Sequence, residues 1–313
     1  MRAHGGAPLQ KNAGKAAGHR SPDRLEQLKM LKKFATYKDL RWVAIWIVAT
    51  LCVAVWNILF LNKPAFDKVV EGFCNTLTVA LLTVAFSLVL GWLATLALHN
   101  FESRSNRAPY LLVIFCMNLI RSIPQIVGIL FAYIGLTVLV DTAIITSKPL
   151  LFVIMALCIS LFIFPEVTDL MRDRIAYFKS LDFYSAMRVC GIPDRRIVNF
   201  DILWKNSRLH ILNKLIAVLG YAVFLQCSVD FIISVGLSTD VNEVTLPPTL
   251  GSLLATIDSK QDILAVGYTL THPLYAGNLL FEHLQGITVA FLIVFSLFSI
   301  HAIAKGYAER NRL

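Results

Sequence analysis

The chain offers little that could make or break a covalent bond. It contains neither G-x-S-x-G nor H-E-x-x-H, the patterns that set a nucleophile or a metal beside a base. It also has no G-x-x-x-x-G-K-[ST], so the glycine-rich cradle and lysine that hold nucleotide phosphates are missing. The histidines at 99, 210, 272, 283 and 301 are not at metal-ligand spacing, and the cysteines at 52, 74, 116, 158, 190 and 227 form no C-x-x-C. The cysteines read as small packing residues, with Cys74 alone on an outer segment, and as neither a disulfide framework nor a zinc site. No catalytic residue, metal or cofactor is expected in this polypeptide.

What remains is a few polar side chains set in apolar stretches. Asp230 lies in 211–235, with Gln226 one helical turn before it. A carboxylate there is costly and faces a cavity or a partner. The pair could line a pathway and meet an amine or a gate residue of another subunit; alternatively, Asp230 is near enough to the surface to be solvated. Arg121 and Gln125 flank Pro124 and could gate an inner mouth or anchor the start of a helix. Lys214 is close enough to its segment's end to snorkel to the surface.

The stretches that carry these residues decide the class. Of 313 residues, 57% are hydrophobic and 16% charged, against about 25% charged in a soluble domain. Too few charges are available to cover a water-facing surface, which excludes a soluble enzyme, and a chain this apolar does not stay disordered. Spanning a bilayer takes about 20 mainly apolar residues, and 42–61, 76–98, 122–140, 149–166, 211–235 and 285–304 qualify. Arg121-Ser122-Ile123-Pro124 interrupts 110–140, so the turn falls there, with 110–120 as an apolar lead-in at the inner interface. The fold class is all-α: a polytopic membrane protein with six transmembrane helices.

Charge sets the orientation. With a cytosolic N-terminus, segments 1–41, 99–109, 167–208 (with Glu166) and 305–313 hold 23 Lys or Arg against 11 Asp or Glu. The outer segments 62–75, 141–148 and 236–284 hold 4 against 8. That is the positive-inside pattern, with both termini cytosolic in a bacterial inner membrane, and it turns the net charge of +9 from a nucleic-acid signature into an orientation signal. Residues 1–41 form a basic tail, in which 25–37 has the spacing of either an interfacial helix or a solvated one. No cleavable signal is evident, because the first apolar segment begins late and runs long. The first transmembrane helix and its outer connection take 42–75, the core 76–305 and a short tail 306–313.

Two loops are long enough to contain structure of their own. In the inner loop, 167–208, Phe183, Ala186 and Met187 stand at i, i+3 and i+4, and Cys190 continues that face. Gly191 can take a positive φ and stop the helix; Pro193 suits the first turn of a second helix, with Asp194 at its positive end. The expected unit is helix, glycine turn, helix, held under the membrane. In the outer loop, 236–284, Leu250, Leu253, Leu254 and Ile257 form an amphipathic run, followed by a second apolar stretch, 263–275.

The order Ser185-Ala186-Met187-x-x-x-Gly191, with Leu203-Trp204 twelve residues on, resembles the EAA loop of binding-protein-dependent ABC transporter permeases. Ala186, Gly191 and Leu203 are kept; Ser185, Met187, Asp201 and Trp204 stand where that pattern has Glu, Ala, Ile and Pro. Thr76 to Gly91 is similar to the start of the permease core. Asn118 to Gln125 resembles an Arg-x-Ile-Pro turn of several importer branches. Phe231 to Leu237, followed by Pro247-Pro248-Thr249-Leu250-Gly251-Ser252, looks like the oligopeptide/dipeptide branch, without its Trp and one spacer residue. The resemblance covers about 75–305.

It implies a type I importer permease fold without ATPase activity of its own. Its partners would be a second, paralogous permease, two cytosolic ATPases that carry the ATP and Mg, and an external binding protein that delivers solute; lipid surrounds it and no nucleic acid is involved. By position, Ser185, Ala186, Met187, Gly191, Ile192 and Asp194 would dock on the ATPase, and Arg121, Pro124, Gln125, Gln226 and Asp230 would be pathway or gate residues. The branch points to peptides; a metal chelate, an amino acid or a phosphonate is the alternative cargo, and an ion-gradient-driven secondary transporter the alternative class. Roughly twenty residues around 255–280 exceed the branch pattern and read as a binding-protein surface, a lid, or an ornament with no contact role.

Overall fold

The computed structural model describes residues 37–103, 107–145, 147–236 and 246–312. The basic tail up to residue 36, and with it nearly all of the expected helix at 25–37, lies outside them, as does 237–245. Among the described residues the chain is helical, without strands. The long helices are α1 (Lys38–Phe60), α2 (Lys63–Ser103), α3 (Arg107–Ser122), α4 (Gln125–Asp141) and α5 (Lys148–Lys179). A short α6 (Asp182–Val189) and a single turn α7 (Asp194–Arg196) follow, and α7 runs into a π-helix, Ile197–Asn206. Then come α8 (Arg208–Gly236), α9 (Leu250–Leu254), α10 (Ile257–Thr271), a 3-10 turn (Pro273–Tyr275), α11 (Ala276–Phe281) and α12 (Leu284–Asn311).

Five of these helices are long and apolar enough to cross a membrane, and there are six crossings if the bent pair α3–α4 counts as one. The chain is thus a multi-pass membrane protein. Ion pairs between Lys38 and Glu309 and between Arg310 and Asp39, both 2.7 Å, put the start of α1 and the end of α12 at one end of the bundle, the terminal end. Helix α2 turns back along α1, with the Trp46 and Phe73 rings in contact, so its end is there too, together with the end of α5, whose Lys179 reaches His99.

Helices in lipid gain nothing from burying apolar surface against one another; small residues and polar contacts hold them together instead. The α2–α5 pair follows that rule. Along α2 the buried positions Thr76, Ala80, Thr83, Ser87, Gly91 and Thr95 fall on one stripe of small side chains. A Cβ on Gly91 would sit 2.9 Å from Val167, so only glycine admits α5 at that distance. Outer helix α1 is held to α12 by polar rungs along its length: the terminal ion pairs, Trp46 Nε1 to Ser296 Oγ at 3.0 Å, and Thr288 Oγ1 to Asn57 Oδ1 at 3.0 Å. Its remaining faces are apolar and open, as a lipid-facing helix requires.

Three expectations change. The connection expected at 62–75 is mostly helix, because α2 starts at Lys63 with Pro64 in its first turn, where a missing N–H costs nothing. Four of the six cysteines, Cys52, Cys74, Cys116 and Cys190, are exposed in the isolated chain, and only Cys227 is fully buried; apolar surroundings in the sequence did not distinguish lipid from protein neighbours. The second half of the inner loop is a π-helix rather than a regular α-helix, its wider turn burying Ile197, Val198, Ile202 and Leu203 on one side.

A close backbone approach occurs at α9, where a Cβ on Gly251 would run into the Cys227 carbonyl and lie 2.7 Å from its Cα. Gly251→Ala should therefore cost about 1–3 kcal/mol by overpacking. Gly267 in α10 has open space around it, and Gly267→Ala should instead stabilise by about 0.5–1 kcal/mol. Thermal unfolding of the two purified variants in detergent checks that the signs are opposite.

Candidate functional site

At the terminal end, α6 and α7 form a bent unit across the ends of α2 and α5. Gly191 sits at φ +80 with nothing near it, so glycine is needed there for its backbone and not for space. Around it, the Gly191 N–H donates to the Arg188 carbonyl at 3.0 Å and the Ile192 N–H to the Met187 carbonyl at 3.2 Å, the paired closure of a Schellman turn. The predicted helix, glycine turn and Pro193-Asp194 restart are all present.

The inward face is a different one from that expected. Tyr184, Met187 and Ile192 pack against the core, while Phe183, Ala186 and Cys190 are exposed. The apolar spacing 183-186-187-190 was ambiguous by one position in so short a helix, and Tyr184 settles it by its polar end. Its hydroxyl donates to Asp194 Oδ1 at 2.5 Å, and His99 Nε2 lies 2.7 Å from Asp194 Oδ2. Lys179 Nζ is 3.2 Å from His99 Nδ1; an ammonium has only donors, so Nδ1 accepts and Nε2 carries the proton given to Asp194. His99 is buried at the end of the small-residue stripe. The elbow is thereby fastened to α2 through one carboxylate, and the same His99 is bonded to Lys179 at the end of α5.

Burial works to raise the pKa of that carboxyl, but the hydrogen bonds from Tyr184 and His99 and the nearby Lys179 ammonium outweigh it and hold Asp194 below the usual carboxylate range. Burial and the bond to Asp194 push the Tyr184 hydroxyl up, which keeps it a donor. Beside the elbow a cleft of about 540 Å³ opens between the ends of α2 and α5, lined among others by Glu102, Asp169, Arg172 and Asp173.

The expected docking residues therefore divide. Ser185, Ala186 and Gly191 are on the outer surface, whereas Met187, Ile192 and Asp194 hold the elbow down. Reading the sequence missed Val189, 89% exposed at the tip, and missed His99, Tyr184 and Lys179 altogether. A buried histidine at the end of a run of small residues was the available signal.

Next to the elbow, α3 and α4 meet at 94°, with the break at Ile123-Pro124 as the sequence predicted. Arg121 pairs with Asp169 at 2.6 Å and also donates to the Pro165 carbonyl, while Tyr110 near the start of α3 takes a bond from Arg172. Both ends of α3 thus meet α5 at about one level, so α3 lies across it. Gln125 Nε2 donates to the Phe162 carbonyl at 3.2 Å, and its Oε1 accepts from the Tyr221 hydroxyl. These bonds fall where Pro165 interrupts the α5 ladder. Pro124 is the residue before α4. Lys214 pairs with Glu166 at 2.7 Å.

At the opposite end Asp230 is buried and not solvated. It accepts from Thr249 Oγ1 at 2.7 Å, and Thr249 caps α9 with a reciprocal bond to Ser252. The Leu250 N–H donates to Thr76 Oγ1 at 2.9 Å and Asn75 Nδ2 to the Pro248 carbonyl at 2.8 Å. The Pro-Pro-Thr segment is thus tied to α8 and α2 together. Gln226 is fully buried, and neither of its amide atoms makes a hydrogen bond of good geometry; the Tyr133 hydroxyl, also buried, makes none. Among the described residues no cluster of His, Cys, Asp or Glu could hold a metal ion.

No protein-family model and no curated protein matches this chain.

Two outcomes follow for the elbow. Gly191→Ala puts a side chain in the left-handed region, at about 1–2 kcal/mol, so hydrogen exchange of amides 183–192 should quicken about 5- to 30-fold. Because Asp194 is held below its unfolded value of about 3.9, its contribution is complete above that pH and is lost as pH falls through the lower, folded value. Protection of the same amides should therefore be flat with respect to this group from pH 5 to 7 and decline only under strongly acidic conditions, and Asp194→Asn should reduce it from pH 5 to 7.

Proposed function

We propose that this chain is the transmembrane permease subunit of an ATP-driven importer in a bacterial inner membrane, with both termini cytosolic. With a second permease it forms the pathway for a solute, of which peptides are the favoured class, delivered by an external binding protein. Two cytosolic ATPases supply the energy. The observation that carries the reading is the elbow: an eight-residue helix with no buried residue, clamped at one carboxylate to His99 of α2, which is itself bonded to Lys179 of α5, with an apolar tip at Val189 facing away from the bundle.

Such a unit suits a lever. The exposed tip is free to enter a groove on a soluble partner, while the Asp194–His99 bond passes displacement to α2 and, through Lys179, to α5. The buried Tyr133 hydroxyl, without a hydrogen-bond partner, and the poorly aligned Gln226 amide fit a pathway whose contacts differ between two global states, since a partner's binding energy moves the equilibrium only through contacts that differ between them. Ser185 in place of an acidic residue suits an ATPase groove whose charge pattern departs from the usual one.

The test is association with the ATPase. Removing 185–194 should abolish co-purification of the ATPase while the protein remains inserted, and Val189→Asp alone should weaken it at least tenfold, since a charge would be desolvated in the groove. Normal co-purification after the deletion would overturn the reading.

A further inference from the structure

The segment 263–281, Ile-Leu-Ala-Val-Gly-Tyr-Thr-Leu-Thr-His-Pro-Leu-Tyr-Ala-Gly-Asn-Leu-Leu-Phe, contains no Asp, Glu, Lys or Arg, although it belongs to a connection between membrane helices. Its apolar side chains are not folded inward: Leu264, Leu270 and Leu274 are 73%, 82% and 101% exposed. A water-facing connection with that composition would present a continuous apolar surface to solvent.

The segment is nonetheless firmly rooted. Asp262 Oδ2 accepts from the Gly286 N–H at 2.7 Å, and its Oδ1 lies 3.0 Å from His283 Nδ1. Gly286 permits this contact, because a Cβ there would sit 2.5 Å from the Ser259 carbonyl. At the other root, the Phe281 ring meets Trp56 and Phe60 at 5.7 and 5.0 Å. The middle is held as well: Tyr275 bonds to His283 at 2.9 Å, and the Tyr268 ring packs edge-on against Tyr275.

Those roots fix its level. Thr288, half a turn beyond Gly286, bonds to Asn57 in α1, so both roots stand at the last turns of α1. Around those turns, Val55, Ile58 and Leu59 are exposed and apolar, the surface of a helix in lipid, and the charges begin beyond it at Lys63 and Asp67. The apolar surface of α1 thus continues through Phe281 onto 263–281. Tyr and His, which combine apolar rings with polar tips, are the residues that suit such a boundary.

We propose that α10, the 3-10 turn and α11 form an interfacial hairpin that lies in the lipid leaflet at this end of the bundle, with Leu264, Leu270 and Leu274 among the acyl chains. The partner is the phospholipid leaflet itself. A water-exposed docking face for a soluble protein is the competing occupant, and the hairpin reading does not depend on the transport reading.

Hydroxyl-radical footprinting of the unsubstituted chain in vesicles of phosphatidylethanolamine and phosphatidylglycerol separates the two, because the radicals are made in water. Val189, 89% exposed at the terminal end, is the internal reference. Oxidation at Leu270 and Leu274 should be at least tenfold below that at Val189, despite their greater or comparable exposure in the isolated chain. A photoreactive benzoylphenylalanine at Leu274 should also yield several-fold more phospholipid adduct than the same group at Lys260. Oxidation of Leu270 and Leu274 equal to that of Val189, or no excess of adduct over Lys260, would overturn the proposal and leave the surface to a soluble partner.

Discussion

Everything in this bundle depends on how closely α2 and α5 approach. Lipid competes for apolar surface as well as another helix does, so the association must come from dense van der Waals contact and from polar groups that have no water to turn to. The stripe Thr76, Ala80, Thr83, Ser87, Gly91 and Thr95 meets both needs. Its side chains are small enough for the backbones to close, and Thr83 and Thr95 bond back to the Val79 and Gly91 carbonyls of their own helix, as Thr168 of α5 does to Phe164, while the buried Ser87 hydroxyl is unbonded. A single bulky residue on that stripe would separate the helices that carry the elbow.

The same stripe joins the two ends of the molecule. At one end Thr76 receives the Leu250 N–H and so seats α9; at the other His99 holds Asp194 and so seats the elbow. The two residues are about 35 Å apart along one helix at 1.5 Å per residue. A displacement of the elbow thus acts on a helix whose far end is bonded to the Pro-Pro-Thr segment. Rigid helices with packed contacts at both ends are what long-range coupling requires, although only a measured coupling energy establishes it.

Polar residues in the spans show how differently similar sequence features resolve. Asp230 and Gln226 are one turn apart on α8, yet the first is tied to the cap of a short helix while the second is buried with no hydrogen bond of good geometry. Arg121 and Gln125 flank the break between α3 and α4, and both reach α5, where Pro165 disturbs the helix. In each case the side chain's role is set by which neighbouring helix presents a carbonyl, hydroxyl or carboxylate at its level.

The multi-pass character, the break at Pro124 and the helix, glycine turn and helix restart around Gly191 were legible in the residues, because apolar run length, proline geometry and positive φ are local properties. The terminal residue of each helix was less so: α2 begins at Lys63 and α5 continues to Lys179, since polar helix beyond a span costs little and leaves no hydropathy signal. Nothing local told Tyr184 from Phe183 as the inward residue, paired His99 with Asp194 across 95 positions, or laid 263–281 against the end of α1. Composition and spacing by themselves determined a multi-pass helical bundle with a bent loop at one end; only the tertiary structure decided which face of each helix meets protein and which meets lipid. The physical reason is that an apolar side chain is equally content against either, so the choice rests on small-residue fit and hydrogen-bond partners supplied by distant parts of the chain.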